Sequence, residues 1–399
     1  MRISILHQHH ANPDCPATCR QYTFMEQLAK RHRITLVATN AWRALRMQRN
    51  YSWVPDGVEL HECKVAYANK MGVLPRLVSF VAFAACSFFK LMRLPKADVM
   101  WAVSVPLSVP FVIAQVARLR RVPWVFEVQD LWPSFPIEMG AVKYKWLQNL
   151  LYRMELSLYK QASHIITLSP DMTAYVIAKG IDPAKVSTVL NGTDVEQASA
   201  VTEAEVEAIR ANYKLHDKQI VLYAGTYGRA NDIPTIMRTI ELLTNNPTIV
   251  FVLAGTGYYE PQLQALAQRV PNLILLKPQP RDHVFTLFKL ADLSLVTFND
   301  LPVLRSNSPA KFYDSLACGT PVIVTNPGWT KEFVENYSCG WYTPAEQPAL
   351  LAQTIAQVLS ESEQLAVAGE RGATIARQLF DRNKLVKDVE TILKRVADQ

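Results

Sequence analysis

The sequence predicts an α/β protein built from two parallel, doubly covered sheets, and three observations carry that expectation. Short apolar, β-branched runs alternate with helical patterns along nearly the whole chain, as a parallel sheet covered on both faces requires. The alternation comes in two series, separated by the turn signal Asn191-Gly192-Thr193-Asp194 and an acidic, Ala-rich stretch over 196–211. A length of 399 residues exceeds what one core sustains, since single cores stop growing at about 250–300 residues.

In the first series, strands are expected at 3–6, 34–38, 99–103, 124–128, 164–168 and 186–190. Helical patterns fall at 22–32, 144–162 and 171–179. The second series repeats the theme, with strands at 220–224, 249–254, 273–276, 293–297 and 322–325. Its helices are expected near 233–243, 261–268, 284–291 and 310–317, with a helical tail over 347–359 and 383–397. The expected organisation is two Rossmann-like domains, 1–195 and 196–380, facing each other across a cleft. Residues 381–399 form a final helix expected to pack back on the first domain. Ligands of such sheets bind at the carboxyl ends of the strands, where turns feed helix N-termini.

Charge divides the chain. Residues 1–190 carry 23 Lys+Arg against 12 Asp+Glu, a net of +11, whereas 191–399 carry −4. That asymmetry points to a polyanionic partner for the first half: nucleic acid, anionic lipid or a phosphorylated substrate. The basic residues are not interleaved with aromatics in a nucleic-acid-binding pattern, which argues against nucleic acid. After Met1-Arg2 only 3–6 is apolar, too short for a signal core, so the cytoplasm is the expected compartment. The six cysteines are scattered, which suggests a reducing environment rather than a disulfide framework.

The longest apolar stretch, 77–89, is interrupted only by Ser79 and Ser87. A bilayer-spanning helix needs about 20 apolar residues, so the stretch is expected to be buried or interfacial rather than spanning. Between Glu62 and Asp98 there is no acid, but there are six cations: Lys64, Lys70, Arg76, Lys90, Arg93 and Lys96. An anionic membrane surface is therefore an expected partner.

Several chemistries lose their main support. There is no GxGxxG, P-loop, GxSxG or HExxH, and no Asp-x-Asp for a metal–diphosphate. His7, His9, His10, Cys15 and Cys19 match no zinc spacing and read as a polar loop after the first strand; no metal is expected.

Two segments suggest an anion site instead. Gly225-Thr226-Tyr227-Gly228-Arg229 lies between a strand and a helix, where glycines admit a phosphate and Arg229 adds charge. Further on, Ser308 is expected to N-cap a helix with Pro309 at its first position. Lys311 then stands in the first turn, where the helix dipole disfavours a cation unless an anion binds too. Asp314, three residues on, could accept from sugar hydroxyls. In the first domain, Asp130 and Glu138 follow the 124–128 strand, which puts Asp130 at the carboxyl edge of the sheet.

The stretch from Ser306 to Val322, with its Asp314-Ser-Leu-Ala-Cys-Gly-Thr-Pro-Val322 core, closely resembles the donor-site segment of the retaining glycosyltransferases of family four, which have the GT-B fold. Val189–Asp194, Phe251–Gly257, Ala291–Leu295 and Gly340–Pro344 fit the same family in order. Of its two Glu residues separated by seven positions, the second maps to shortened Asp314 and the first to Ser306. Many members carry His-Asp where this chain has Gln129-Asp130.

The resemblance implies a metal-independent hexosyl- or N-acetylhexosaminyl-transferase, with no required cofactor. A nucleotide-sugar (UDP- or GDP-sugar) would be donor, and a lipid-linked saccharide of bacterial surface polysaccharide would be acceptor. Gly225, Thr226, Arg229, Ser308, Lys311 and Asp314 would hold the donor, while Asp130 and Glu138 serve the acceptor. His10 or Asn12 would border the ligands. The expected location is peripheral, on the inner face of the plasma membrane. A nucleotide-sugar 2-epimerase of GT-B fold and a non-catalytic GT-B binding subunit are the alternatives.

Overall fold

The computed structural model describes residues 1–399 apart from 17, 18, 49, 69 and 70. Lys70, one of the six cations named above, therefore lies outside the described residues. The chain divides into two compact units: Met1–Leu190 with Arg382–Gln399, and Asn191–Asp381.

The first unit holds strands β1 (Arg2–His7), β2 (Arg33–Thr39), β3 (Val58–Cys63), β4 (Val99–Val103), β5 (Trp124–Val128), β6 (His164–Thr167) and β7 (Val186–Thr188). Their connections are α1 (Arg20–Ala29), α2 (Val73–Arg93), α3 (Ser108–Arg120), α4 (Ser134–Glu138), α5 (Lys145–Gln161) and α6 (Pro170–Ala178). All described pairings are parallel, in the order β3-β2-β1-β4-β5-β6-β7. The order reverses between β1 and β4, which makes their carboxyl ends the topological switch point.

The second unit opens with α7 (Val195–Ala200) and α8 (Glu203–Asn212), the latter started by a Thr202–Glu205 capping box. Its strands are β8 (Gln219–Ala224), β9 (Ile249–Ala254), β10 (Leu273–Leu276), β11 (Leu293–Val296), β12 (Val322–Val324) and β13 (Gly340–Tyr342). Helices α9 (Ile233–Leu242), α10 (Glu260–Ala267), α11 (Arg281–Leu290), α12 (Ala310–Ala317) and α13 (Trp329–Tyr337) connect them, followed by α14 (Pro348–Ser360) and α15 (Ser362–Ile375). The parallel order β10-β9-β8-β11-β12-β13 again reverses between its first and fourth strands. Two such parallel α/β units constitute the GT-B fold.

The last helix, α16 (Arg382–Ala397), belongs to the first unit. Leu385, Val386, Val389, Leu393 and Val396 enter the core under β1, β2 and β4, beside Phe24 and Leu28 of α1. Their spacing of three and four residues puts one apolar stripe against the sheet.

Two expectations need correction. The apolar stretch grows into a 21-residue helix, α2. Its Leu74–Arg93 window has a mean hydropathy of 1.5, so by length and composition α2 is long and apolar enough to cross a membrane. It does so because Val73–Arg76 and Lys90–Arg93 extend the helix beyond the 77–89 apolar stretch. In this fold it is the crossover from β3 to β4, packed on α3. The cysteines are not all free either: Cys63, ending β3, and Cys86 of α2 form a disulfide. The crossover brings their Cα atoms to 6.0 Å, within bridging range, which spacing along the chain could not reveal.

Candidate functional site

In the second unit the site grows from the β8/β11 switch point. β8 ends at Ala224, and the chain turns through Gly225 with φ +149°. A Cβ at Gly225 would lie 3.0 Å from Lys311 Cε and 3.2 Å from its Nζ, so the glycine leaves room for the lysine. Behind it, a Cβ at Gly255 would fall 1.9 Å from the Gly225 carbonyl oxygen, so the two turns pack backbone to backbone.

Lys311 occupies the first turn of α12. Its ammonium donates to Tyr223 Oη at 3.1 Å and lies 4.2 Å from the Tyr223 ring centroid and 5.7 Å from that of Phe298. Those rings flank the ends of β8 and β11. Desolvation between them pulls the lysine from 10.5 to about 7, and no described carboxylate pairs with it. A half-buried, partly desolvated cation beside a glycine turn and a helix N-terminus makes a candidate anion site.

The neighbouring expectations fare differently. Thr226 is exposed, and its carbonyl accepts from Tyr223 Oη at 2.8 Å. Arg229 is exposed with its guanidinium 4.1 Å from the Tyr258 ring centroid, a stacked but unburied cation. Ser308 is not the N-cap: α12 begins one residue later than expected, with Pro309 at the cap position, and the Ser308 hydroxyl meets Tyr313 Oη at 2.6 Å. Pro309 has ψ 131°, which keeps it outside the helix and deprives Ser308 of the cap geometry.

Asp314 is placed where its carboxylate serves structure. Arg281 grips both oxygens, at 2.8 and 3.2 Å, and Thr193 donates to one at 2.6 Å. Arg281 also holds Asp194 at 2.9 Å, and Asn191 Nδ2 donates to the Ser308 carbonyl at 2.9 Å. The Asn191–Asp194 segment is thereby clamped to the loop that presents Lys311. The expectation that Asp314 accepts sugar hydroxyls gives way to a positioning role, because a bidentate arginine already occupies its two oxygens. Sequence reasoning missed Arg281. An arginine opening a helix after Pro280 looks like surface charge, and only folding brings it under α12.

In the first unit, Asp130 stands just past β5 on the carboxyl edge. Desolvation raises its carboxyl from 3.8 to about 6, and among the described residues no cation pairs with it. Gln129, in the place of the family's usual histidine, donates to Gln21 at 3.0 Å and to Glu127 at 3.2 Å. Glu127 is fully buried against Arg20, which donates to the Val189 and Leu190 carbonyls. Glu138 ends α4 and is half-buried.

His10 and Asn12 are fully buried and hydrogen-bond within the loops that follow the first strand. His10 Nε2 meets the Trp53 carbonyl at 2.8 Å, and Asn12 donates to Asp14 and to the Ser52 carbonyl, each at 3.2 Å. Burial holds His9 and His10 at about 4, well below the usual histidine range, so both are neutral at pH 7. An open cavity of about 820 Å³ lies at the opposite, amino edge of this sheet, lined by Met1, His32, Lys96, Asp98 and Lys394, and shares nothing with these residues.

Two family domains match nearly the whole chain in order: a glycosyl transferase 4-like domain over residues 20–192, and glycosyl transferases group 1 over 205–374. The chain is a group 1 glycosyltransferase. This glycosyltransferase is 25% identical over 300 residues to the putative colanic acid biosynthesis glycosyl transferase WcaI of Escherichia coli, covering 73% of this chain and 72% of that protein. It is 26% identical over 208 residues to the alpha-galactosylglucosyldiacylglycerol synthase of Streptococcus pneumoniae, covering 50% and 54%. Among solved structures, it resembles Anabaena HepE in complex with UDP, with a TM-score of 0.74 at 17% identity over 99% of this chain and 100% of that one. It also resembles WaaG, a glycosyltransferase involved in lipopolysaccharide biosynthesis, with a TM-score of 0.68 at 13% identity over 98% and 99%. These likenesses establish the GT-B fold of the glycosyltransferase.

Proposed function

We propose that this glycosyltransferase is a retaining enzyme that moves a hexosyl or N-acetylhexosaminyl group from a UDP- or GDP-sugar to a lipid-linked saccharide of a bacterial surface polysaccharide (O-antigen, capsule or exopolysaccharide). The observation that carries the reading is Lys311, a desolvated ammonium with no carboxylate partner at the switch point of the second sheet. A nucleoside diphosphate supplies the missing charge. Lys311, Arg229 and the Gly225 turn then stabilise the negative charge that grows on the leaving group as the glycosidic bond breaks. HepE, the neighbour solved with UDP, and WcaI, named for colanic acid, support donor and pathway class.

Asp130 serves the acceptor. A carboxyl titrating near 6 is mostly ionised at pH 7 yet basic enough to orient a hydroxyl and draw on its proton. In a front-face displacement, a leaving-group phosphate oxygen takes that proton as the acceptor oxygen bonds to the anomeric carbon. Such a course retains configuration without a strong side-chain base, consistent with glutamine at 129.

The enzyme works as a peripheral protein on an anionic membrane surface, the cytoplasmic face of the plasma membrane. The support is α2, which turns Ser79, Phe83, Ser87 and Leu91 inward and exposes Leu77, Val78 and Val81, the last at 62%. A helix that buries serines and exposes aliphatics has its solvent side adapted to something other than water.

The test is incubation with a panel of UDP- and GDP-sugars, with and without a short-chain polyprenyl diphosphate sugar, followed by nucleotide release and by NMR of the product anomer. Acceptor-dependent release with a retained anomer is expected. An inverted anomer ends the retaining reading, and release accompanied by a free 2-epimer makes the protein an epimerase.

A further inference from the structure

We infer that the bilayer contact is not one helix but a three-helix layer, and that the N-terminal part of α5 is its second anchor. The inference rests on the peripheral-membrane reading above and extends it to a surface that the sequence did not suggest. In the first unit, α3 packs against both α2 and α5, so the three helices form one layer on one face of the sheet. Each runs from the carboxyl edge of its preceding strand, so their N-terminal ends lie together on the edge that carries Asp130.

The outer side of that layer is unlike the rest of a soluble surface in two respects. Its exposed residues include large apolar groups on all three members. On α5 and its approach these are Tyr144, Trp146 at 67% exposure and Leu150 at 55%. On α3 they are Phe111 and Leu119, eight residues apart and therefore on one face. The layer also offers no exposed carboxylate. Across the three helices the one acid is Glu155, whose side chain is fully buried and occupied by Lys179, Tyr159 and Tyr175. The cations are Arg76, Lys90 and Arg93 on α2, Arg118 and Arg120 on α3, and Lys145, Arg153 and Lys160 on α5.

The α5 face is continuous. Lys145, Trp146, Asn149, Leu150, Arg153, Ser157, Lys160 and Gln161 are its exposed positions, spaced one, three or four apart as one side of a helix demands. Tyr144-Lys145-Trp146 places two amphipathic rings around a lysine, the chemistry of the headgroup–hydrocarbon boundary. Charge decides the occupant. A second copy of this chain docked face to face would set the exposed cations Arg93, Arg118, Lys145, Arg153 and Lys160 against themselves, whereas an anionic lipid surface meets them with opposite charge.

Co-sedimentation of the full chain tests the idea, using phosphatidylcholine vesicles with about 30% phosphatidylglycerol and pure phosphatidylcholine as control. The variant is Trp146→Glu with Leu150→Glu, both exposed and neither in the donor or acceptor site. Partitioning onto anionic vesicles should fall about tenfold, with nucleotide release in vesicle-free solution unchanged. Phe111→Glu is the second variant, with the same expectation, should the first fail to fold.

Unchanged partitioning of both variants overturns the three-helix layer. If Val81→Glu on α2 releases the protein while the α5 and α3 variants do not, the one-helix contact stands and this inference falls. If the wild type ignores both vesicle types, the peripheral reading itself fails. If size exclusion shows the variants splitting a dimer without changing vesicle binding, the layer is a self-association face and the inference is overturned.

Discussion

Lys311 should make donor binding consume a proton. Its ammonium titrates near 10.5 in water and is drawn to about 7 by desolvation against Tyr223 and Phe298. At pH 8 the unliganded side chain is therefore about one-tenth protonated, and a bound diphosphate restores the charged form, so UDP binding takes up about 0.9 proton. From about pH 7 upward, until the raised pKa of the complex is reached, Kd for UDP weakens about tenfold per pH unit, or about 1.4 kcal/mol.

The sign for folding runs the other way. Between about pH 7 and 10.5 the folded lysine binds fewer protons than the unfolded one, so this group's contribution to the stability of the unliganded protein rises with pH. The increment in Tm given by UDP shrinks over the lower part of the same window. Calorimetric titration at pH 8 in two buffers of different ionisation heat reads the proton directly, and working above pH 7 avoids the nucleotide's own phosphate titration. Lys311→Met should abolish the uptake and flatten the pH dependence. A wild-type protein that takes up no proton at pH 8, with a constant Kd from about pH 7 to 9, would refute the reasoning.

Three further outcomes are expected. Transfer should rise as pH increases through about 6, where Asp130 loses its proton, and Asp130→Asn should remove that limb while changing UDP affinity less than about twofold; if Asp130→Asn is active and Glu138→Gln is not, the role passes to Glu138. Below that step the raised pKa works in favour of folding, because folded Asp130 binds more protons than unfolded between about 3.8 and 6, so its contribution falls as pH rises through that window. Asp314→Ala should cost about 1–3 kcal/mol, because buried Arg281 loses its bidentate partner and keeps only Asp194, read as a lower urea midpoint; wild-type stability would show the clamp to be idle. Gly255→Ala should destabilise by more than about 2 kcal/mol, because the new methyl would sit 1.9 Å from a backbone oxygen that cannot retreat, and an unchanged Tm would contradict the packing.

The buried strands were legible because they are apolar runs, broken in β5 by Glu127 alone: β4 and β5 fall where expected, at Val99–Val103 and Trp124–Val128. β3, Val58–Cys63, escaped notice for the opposite reason. It is the sheet's edge, it carries Glu59, His61 and Glu62, and it is mostly half-exposed, so its polar residues mask the strand. Lys311 could be singled out from helix electrostatics alone. Its lack of a partner could not, since that depends on Tyr223 and Phe298 arriving from other strands. The same limit explains Asp314: three residues from Lys311 on one helix, it looked equally available, but Arg281 reaches it from a distant segment. Local sequence reveals which groups carry charge, and the long-range packing decides which of those charges are already spent.

That distinction separates structural from functional charge in this protein. Arg20 is paired with Glu127, Arg281 with Asp194 and Asp314, and Glu155 with Lys179; Glu390 takes Arg31, His32 and Lys394 and is held at about 2. Where such partners are present, removing one strands the other, which is why these pairs act as clamps. Lys311 and Asp130 depart from the rule. Each is desolvated, each has its pKa moved toward neutrality by burial alone, and neither has an opposite charge beside it. A fold that keeps such groups tolerates a standing penalty, which at Lys311 the Tyr223 hydroxyl and the two aromatic rings offset only in part. Both stand at carboxyl ends of strands in parallel sheets, where ligands of this architecture bind. On the proposed function, a diphosphate would offset the cost at Lys311 and a donating acceptor hydroxyl that at Asp130, so each would act as binding energy held ready for substrate.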